Sequence, residues 1–376
     1  MLAPVEQNLD LRSALSPVEP DVSWLNQWSP GHNPGGTRGY RIHPAELRRR
    51  RDRCEPIVNS LRDWKRQLAS VCNVCGSERS AIVAQPDRYG CPSRTAMCLN
   101  CGLFFLVDRL SDEGYSEFYK SGTYRRLVSA FSGAKQAIKE IQTDQVQYAS
   151  GLIQALSGYL KFRPGARLLD VGGSAGQVAL EFQNFFGINA TVLDPAEAEV
   201  AAAKQAGLEA YTGSIEQWSS EERFDLILLC RTIEHVQDLR GVLARIRRLL
   251  QPDGLLYCDI VDFTEACHLM GHPEAVAKID HCYWMTQESA PGIFRHAGLE
   301  IVSMNLSRQQ PLMGFLLRRS EPSPWLPVDP LWTKLQLRQF QDRASEWQEW
   351  GRSASDTKDW LRRKAYKLKR ALVRNL

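Results

Sequence analysis

Two pairs of cysteines with the spacing Cys-x2-Cys occur in the first third of the chain, 22 residues apart. The first pair is Cys72 and Cys75, the second is Cys98 and Cys101, and a glycine follows each pair. Four thiolates on two tight turns of this kind can surround one tetrahedral Zn²⁺. Because a closed shell of four sulfurs leaves no coordination position for a substrate, the spacing predicts a structural zinc ion that folds a small unit.

A glycine-rich turn is predicted within ARLLDVGGSAGQVALEF, residues 166–182, between a buried strand and a helix. Helix N-termini expose unpaired N–H groups and carry partial positive charge, so such a turn suits a phosphate, a carboxylate or a ribose edge. Dinucleotide-binding turns have glycines at the first, third and sixth positions, and Gly172, Gly173 and Gly176 do not fit that frame. Ser174 occupies the middle position of a G-x-G-x-G frame. The turn alone leaves open a dinucleotide or another adenosine-bearing cofactor.

Residues near the ends of neighbouring strands extend this predicted cofactor site. Asp194 ends the second strand, 18 residues beyond Gly176, where a carboxylate can bind ribose hydroxyls in dinucleotide enzymes and in enzymes that use S-adenosylmethionine. Asp170 places a carboxylate beside the turn, where the positive groups of S-adenosylmethionine would lie. The remaining predicted cofactor-binding residues are Ser214 and Ile215, at the edge of an adenine, and Cys230, at the end of the strand-like run FDLILLC.

Three titratable residues are candidates for acid–base chemistry beside this site: Glu234, His235 and His281. His235 follows the strand-like run FDLILLC, and an imidazole titrates in the range that a general base needs. The alternative is that Glu234 and His235 only cap a helix and brace the sheet.

The segment 262–285 is predicted to cover the acceptor, because it follows the carboxyl edge of the sheet, where such folds bind substrates. It carries His268, His272 and His281. These histidines could also bind a metal ion. We favour instead histidines that bind a hydroxylated acceptor or that pack in the interior.

The chemistry outlined above needs a scaffold that aligns strand ends, and strand and helix patterns alternate along the chain. The strand-like runs are ARLLDV, NATVLD, FDLILLC and GLLYCDIV, with helical patterns between them. Short β-rich runs separated by helices indicate right-handed crossovers and a parallel sheet. We predict a Rossmann-like α/β fold with a mostly parallel seven-stranded sheet, helices on both faces, and a closing hairpin from LEIVSMNL and GFLLRR.

The 376-residue chain has the composition of a globular protein, with 43% hydrophobic and 24% charged residues. It contains no run of eighteen apolar residues, and its N-terminus lacks a basic segment followed by an apolar one, so we predict neither a membrane span nor a secretory signal. Ten cysteines in such a chain indicate reduced thiols and metal binding, and we expect a cytoplasmic protein. The net charge of +4 does not by itself indicate a nucleic-acid partner.

Composition and pattern divide the chain into five predicted segments. They are a mobile leader at 1–43, a basic helical segment at 44–69, a zinc-ribbon domain at 70–125, the α/β domain at 126–320, and a tryptophan-rich helical tail at 321–376. The run of four arginines at 48–51 is predicted to lie on a solvated helix face. The tail ends in a basic amphipathic helix, which would contact an anionic partner such as the inner face of the membrane or, alternatively, dock another subunit.

Four ordered motifs, LLDVGGSAG, VLDP, FDLILLCRTIEHV and LLQPDGLLY, resemble the class I S-adenosylmethionine-dependent methyltransferases across roughly residues 130 to 320. This resemblance implies S-adenosylmethionine at the glycine turn, with Asp194 on its ribose. The preceding CNVCG and AMCLNCGLFF motifs resemble zinc-ribbon methyltransferases of bacterial sugar and polysaccharide pathways, which include deoxysugar C-methyltransferases. Those C-methyltransferases carry a sizeable further domain where this chain has about 56 residues, so methylation of a sugar-containing acceptor at oxygen is favoured over carbon.

Two other functions compete with methylation of a small molecule or glycan. The cysteine unit and the basic ends could bind RNA for a base or ribose methyltransferase, but the loop between the cysteine pairs has one aromatic residue, Tyr89, and little of the basic and aromatic pattern that single strands require. A scaffold without catalysis is the third reading. The complete glycine turn and Asp194 argue against it.

Overall fold

The first elements of the structure are one helix and five short strands around the cysteine pairs. The computed structural model describes residues 41–133, 138–304, 311–325 and 327–352. In chain order these elements are α1 (Pro44–Ser60), β1 (Arg66–Leu68), β2 (Ser80–Ala84), β3 (Thr95–Cys98), β4 (Phe104–Leu106) and β5 (Asp108–Leu110). The strands β2, β3 and β4 form an antiparallel sheet, and β1 pairs with β5.

The arginine run of α1 is solvated only in part, because Arg48 is exposed whereas Arg51 bonds to other parts of the protein. Arg51 donates to the backbone carbonyl of Asp87 at 2.8 Å and pairs with Glu274 at 2.9 Å. Arg50 pairs with Glu46 one turn away and lies over the ring of Phe131. A planar guanidinium offers five donors, so an arginine can link several segments at once.

Two helices that carry tyrosines follow, α2 (Asp112–Lys120) and α3 (Thr123–Ser132). Ser111 caps α2 by accepting a hydrogen bond from the backbone N–H of Gly114. The helix α3 packs against α1, with Leu127 and Phe131 buried. These helices place the segment 111–133 against the α/β part of the chain.

The α/β part begins with α4 and alternates helices and strands up to the closing hairpin. Its elements are α4 (Ile138–Leu156), β6 (Arg167–Val171), α5 (Gln177–Phe186), β7 (Asn189–Asp194), α6 (Glu197–Gln205), β8 (Glu209–Thr212), β9 (Phe224–Leu229), α7 (Leu239–Leu249), β10 (Leu250–Val261), α8 (Phe263–Met270), α9 (Pro273–Val276), β11 (Tyr283–Trp284), α10 (Ala290–His296), β12 (Leu299–Met304) and β13 (Leu312–Arg319). One further helix, α11 (Pro330–Arg352), follows. Residues 353–376, which carry the predicted basic amphipathic helix, and the predicted leader up to residue 40 lie outside the described residues.

The central sheet has seven strands in the order β12-β13-β10-β9-β6-β7-β8. The strands from β10 to β8 are mutually parallel, and β13 runs antiparallel to both of its neighbours. The middle strands β6 and β9 are buried along nearly their whole length, because helices cover both faces of a parallel sheet. The predicted Rossmann-like α/β fold and the predicted hairpin are therefore confirmed.

The cysteine-bearing unit shares its sheet with the segment that follows the α/β core. The strand β11 pairs antiparallel with β4, which extends the sheet of β2, β3 and β4 to four strands. A Cβ on Gly102, next to the second cysteine pair, would lie 2.8 Å from the ring of Trp332 in α11. The predicted ribbon at 70–125 is thus held from two sides by later parts of the chain.

Phe104 joins three of these elements in one apolar cluster. Its ring stacks on Phe263 of α8 at a centroid distance of 4.4 Å and meets the edge of Phe340 in α11 at 5.8 Å. The side chain is fully buried. These contacts join the cysteine unit (residues 70–125), the covering segment (residues 262–285) and the last described helix, α11.

We predict that Phe104→Ala lowers the free energy of unfolding by about 3–5 kcal/mol, because it leaves a cavity among aromatic rings that cannot collapse into it. Urea denaturation followed by tryptophan fluorescence measures the change. Phe185→Ala is the matched control, since Phe185 is 63% exposed and its loss should change stability by less than about 0.5 kcal/mol. Equal losses in the two variants would contradict the assignment of Phe104 to the core.

Candidate active site

The glycine turn between β6 and α5 forms the first part of the site. Gly172 and Gly176 have φ angles of +72° and +80°, in the left-handed region that glycine adopts without strain. A Cβ on Gly172 would lie 2.5 Å from the hydroxyl of Thr232, and a Cβ on Gly176 would overlap the side chain of Leu208. Both positions therefore require bare backbone.

Asp170 is an unpaired carboxylate directly beneath this turn. It is 1% exposed, and neither of its carboxylate oxygens has a hydrogen-bond partner among the described residues. A Cβ on Gly173 would come within 2.7 Å of Oδ2 of Asp170, so the carboxylate lies against the turn. Burial, and then the neighbouring charge of Asp194, raises the pKa of Asp170 to about 7. A buried anion without a partner favours the approach of a positive group.

Asp194, at the end of β7, holds the turn in place. Its Oδ2 accepts a hydrogen bond from the backbone N–H of Ser174 at 2.9 Å, and its Oδ1 accepts one from Ala196 at 2.8 Å. Ser174 itself has a φ of +52°, so this bond stabilises a conformation that residues other than glycine rarely adopt. Each carboxylate oxygen keeps a second lone pair, which a ligand hydroxyl can use.

The other predicted cofactor residues follow β8 and β9. The backbone N–H of Gly213 donates to the carbonyl of Asp194 at 3.0 Å, which places Ser214 and Ile215 just beyond that strand end. Burial raises the pKa of the Cys230 thiol, so this cysteine is not a ready nucleophile. All eight residues predicted to bind a cofactor lie at the carboxyl edge of β6 to β9, while their contact with a cofactor stays a prediction.

The turn at 231–235 lies beside the glycine turn, because β9 pairs with β6 in the sheet. Arg231 has a φ of +53°, and its backbone N–H donates to the buried carboxylate of Asp259 at 2.6 Å. Thr232 packs against Gly172, and Ile233–His235 form a 3₁₀ turn. Left-handed backbone at a residue other than glycine persists where its surroundings over-determine it, which is common at functional sites.

Glu234 is buried at the start of the candidate catalytic group. Burial, and then the charge of Asp259, raises the pKa of Glu234 to about 8, so its carboxyl keeps its proton near neutral pH. Its Oε2 has no hydrogen-bond partner among the described residues. Its backbone carbonyl accepts a hydrogen bond from the N–H of Cys282 at 2.7 Å, which joins the turn to the covering segment.

The imidazole of His235 is held in one tautomer. Its Nδ1 lies 2.8 Å from the backbone carbonyl of Asp280 and 3.0 Å from the hydroxyl of Tyr119. Since a carbonyl can only accept, Nδ1 carries the proton and Nε2 keeps a lone pair. Burial lowers the pKa of His235, so the ring is neutral near pH 7. A neutral imidazole with a free Nε2 can accept a proton from a ligand.

His281 meets His235 edge to face, with 4.7 Å between the ring centroids. Its Nε2 lies 3.0 Å from the amine of Lys278, and its Nδ1 has no partner among the described residues. Burial, and then Lys278, lowers the pKa of His281 well below its ordinary value. Glu234, His235 and His281 each offer a ligand atom within 4.8 Å of the others. The structure thus gathers the three predicted catalytic residues, and their roles stay predictions.

The other two histidines of the segment 262–285 contact α11. The ring of His272 stacks on Trp347 at 4.4 Å, and its Nδ1 accepts a hydrogen bond from the N–H of Glu274 to cap α9. His268 is paired with Arg343 at 3.0 Å. Of the three histidines, His281 is the one that contacts His235.

The four cysteine sulfurs form a second group that could hold a metal ion. All four lie within 4.8 Å of one another, with 3.4 Å between Cys72 and Cys101 and 3.6 Å between Cys75 and Cys98. Soft thiolates in this number and arrangement match tetrahedral coordination of Zn²⁺.

The turn at Cys72–Cys75, the first cysteine knuckle, is hydrogen-bonded to α7, the helix that follows the turn at 231–235. The side chain of Asn73 donates to Asp238 at 3.0 Å and accepts from the N–H of Arg240 at 2.9 Å. Asp238 is the N-cap of α7, so Asn73 completes the cap from outside the helix. Gln237, two residues after His235, also accepts from Arg109 of β5 through its carbonyl. The cysteine unit thus supports the segment on which His235 lies.

Sequence reasoning missed Tyr119 and Asp280, which contact His235. Tyr119 stands four residues after Tyr115 on α2, and this spacing on one helix face was the available signal. Asp280 precedes His281 directly in the sequence. No local pattern relates α2, the 231–235 turn and the covering segment, because packing alone brings them together.

Comparison with known proteins identifies the α/β part. Residues 141–304 match a family model described as a methyltransferase domain. Ubiquinone biosynthesis O-methyltransferases are 33% identical in Bradyrhizobium sp. (strain ORS 278) and 34% identical in Rhodopseudomonas palustris (strain BisB18), in each case over 98 residues that cover 24% of this chain and 38% of the relative. The solved structure of Burkholderia thailandensis 1,6-didemethyltoxoflavin-N1-methyltransferase is 19% identical with a TM-score of 0.42, covering 63% of this chain and 100% of that one.

The matched segment and the observed α/β fold together show that residues 141–304 carry a methyltransferase domain. This confirms the predicted class at the level of the domain. The chain spans 38% of the length of the ubiquinone-pathway relatives, so the reaction in their names is stated of those proteins and not of this chain. Across the described ranges, the structure contains no helix long and apolar enough to span a membrane.

We predict that Asn73→Ala lowers stability by about 1 kcal/mol and speeds amide hydrogen exchange in residues 234–241, because the cap of α7 loses its outer partner. Hydrogen–deuterium exchange with peptide mass spectrometry measures the effect. Asn59→Ala, at the exposed end of α1, is the control and should leave exchange in that segment unchanged. Wild-type exchange at 234–241 in Asn73→Ala would show that the knuckle does not support the turn.

Proposed function

We propose that the protein transfers a methyl group from S-adenosylmethionine to a hydroxyl oxygen of a small biosynthetic molecule. The observation that carries this proposal is the neutral His235, whose Nε2 keeps a lone pair and whose turn packs through Thr232 against the glycine turn of a methyltransferase domain. The names of the ubiquinone-pathway relatives support oxygen as the methylated atom. A hydroxyl must lose its proton to be methylated, and a base with a pKa near or below neutral serves that need.

The residues of the glycine turn fit the proposed cofactor. Gly172, Gly173 and Gly176 keep the backbone bare, and the unpaired Asp170 would face the positive groups of the donor. Asp194 would accept hydrogen bonds from the ribose, with Ser214, Ile215 and Cys230 lining the adenine side. When bound, the cofactor supplies a methyl group already activated on a sulfonium, so the protein's main tasks are alignment and proton removal.

His235 performs the proton transfer in this proposal. Its Nε2 takes the proton of the acceptor hydroxyl while the oxygen forms its bond to the methyl carbon and the carbon–sulfur bond breaks. Glu234 keeps its own proton near neutral pH and can donate a hydrogen bond to the acceptor. His281 stays neutral and helps to orient the acceptor against His235.

Zinc is proposed as the ion bound by Cys72, Cys75, Cys98 and Cys101, because four thiolates favour it. Its proposed role is structural. Through the hydrogen bonds between Asn73 and the N-terminal cap of α7, the metal-bound unit would stabilise the turn at 231–235.

The zinc-ribbon resemblance predicts a sugar-containing acceptor, with oxygen favoured over carbon as the methylated atom. An RNA acceptor and a scaffold without catalysis are the alternatives. A cytoplasmic location and an anionic partner for the C-terminal segment stay predictions. Incubation with donor labelled in its methyl group and a metabolite extract, followed by mass spectrometry, distinguishes a small product from labelled RNA or from no product.

The raised pKa of Asp170 predicts that binding of S-adenosylmethionine depends on pH. Because its pKa is raised to about 7, the carboxylate is increasingly protonated below that pH, and a cationic donor should bind more weakly there. We expect the Kd for S-adenosylmethionine to rise roughly fivefold to tenfold between pH 7.5 and pH 6, measured by calorimetry. Asp170→Asn should weaken binding at pH 7.5 and flatten this dependence. Asp225→Asn, near the opposite end of β9, should keep it, and a pH dependence that survives in Asp170→Asn would contradict the assignment.

His235→Ala should lower kcat about 10²- to 10⁴-fold and leave the Kd for S-adenosylmethionine near the wild-type value, because the variant loses the base and keeps the glycine turn. The rate of label transfer and calorimetry measure the two quantities. His296→Ala, on α10, is the histidine control and should change neither. Undiminished transfer by His235→Ala would remove His235 as the base.

A further inference from the structure

Asp280 is a buried carboxylate between the two histidines of the site. Its side chain is fully buried, and neither carboxylate oxygen has a hydrogen-bond partner among the described residues. Oδ2 lies 4.0 Å from Nδ1 of His235 and 3.7 Å from Nε2 of His281. Burying a carboxyl group without hydrogen bonds costs folding free energy, which makes Asp280 a candidate for a functional role.

The backbone of Asp280 also acts on His235. Its carbonyl accepts a hydrogen bond from Nδ1–H of His235 at 2.8 Å and a second one from the hydroxyl of Tyr115. One residue therefore supplies the carbonyl that sets the tautomer and the negative charge nearest to the ring. This pairing of a fixed Nδ1–H with a buried carboxylate orients a catalytic histidine and stabilises its protonated form.

The segment around Asp280 is held firmly in position. The backbone N–H of Ile279 donates to the carboxylate of Asp87 at 2.7 Å, and the N–H of Cys282 donates to the carbonyl of Glu234 at 2.7 Å. The strand β11 follows directly and pairs with β4. Asp280 cannot move toward or away from His235 without breaking these bonds.

Several other ionisable groups face His235, and their charges differ. Lys278, on the covering segment, disfavours a positive charge on the ring, and His281 beside it is neutral. Tyr119, on α2, keeps its proton because burial raises its pKa well above the ordinary value. Glu234, on the same turn, keeps its proton near neutral pH. Asp280 opposes the effects of burial and Lys278 on His235.

We propose that Asp280 is a positioning residue for His235: its carbonyl holds the proton on Nδ1, and its carboxylate stabilises the imidazolium that forms when Nε2 takes the acceptor's proton. This inference rests on the proposed role of His235 as the base. The proton moves from the acceptor hydroxyl to Nε2 and later leaves to solvent, and Asp280 itself neither gains nor loses one.

The variant Asp280→Asn separates the two contributions, because asparagine keeps the backbone carbonyl and removes the charge. NMR titration of the full chain labelled in histidine measures the pKa of His235 directly. We expect this pKa to fall by about one pH unit in Asp280→Asn, since the variant loses the charge that favours the imidazolium. The rise of kcat with pH should move to lower pH by the same amount, and its plateau should fall at least about tenfold. Asp280→Glu should recover part of the plateau.

Asp262→Asn is the control, because Asp262 is a buried carboxylate that caps α8 through the N–H of Glu265. It should leave the titration of His235 unchanged. A purely structural Asp280 would lower stability in urea without shifting the pKa of His235, and that result would overturn the inference. Full activity of His235→Ala together with a shifted titration in Asp280→Asn would instead reject the base and retain the coupling between the two residues.

Discussion

The close approach of two turns at the carboxyl edge of the sheet is the constraint on which the site depends. β6 and β9 are neighbours, so the glycine turn and the turn at 231–235 meet, and Thr232 occupies the space that a side chain at position 172 would need. Parallel strands place all their carboxyl ends on one edge, which makes this meeting a consequence of topology. In the proposed function, a donor bound at one turn would therefore lie beside the candidate acid–base residues of the other.

Burial sets the chemistry of the groups on these turns. Removing a charge from water favours the neutral form, so carboxyls keep their protons to higher pH and histidines lose theirs at lower pH. Burial raises the pKa of Glu234 and lowers that of His235, so near neutral pH Glu234 keeps its proton while His235 can accept one. The two roles thus come from one physical cause acting on two residue types.

The cysteine unit is part of the site's support. Its sheet gains β11 from the covering segment, its knuckle caps α7 through Asn73, and its neighbouring helix α2 brings Tyr119 to His235. The segment boundaries predicted from composition follow changes of sequence pattern, but these hydrogen bonds and strand pairs join residues on opposite sides of the boundaries. Arg51 is a further example: it belongs to the basic run predicted to face solvent, and it bonds to Asp87 and Glu274.

The sequence by itself determined the α/β fold, the methyltransferase class and the grouping of the four cysteines. These features depend on local pattern: strand and helix periodicity, glycine spacing and short cysteine pairs repeat within a few residues of one another. Tertiary structure alone decided that Tyr119 and Asp280 contact His235. Such contacts link residues more than forty positions apart, and the packing of side chains that chooses among them leaves no periodic trace in the sequence.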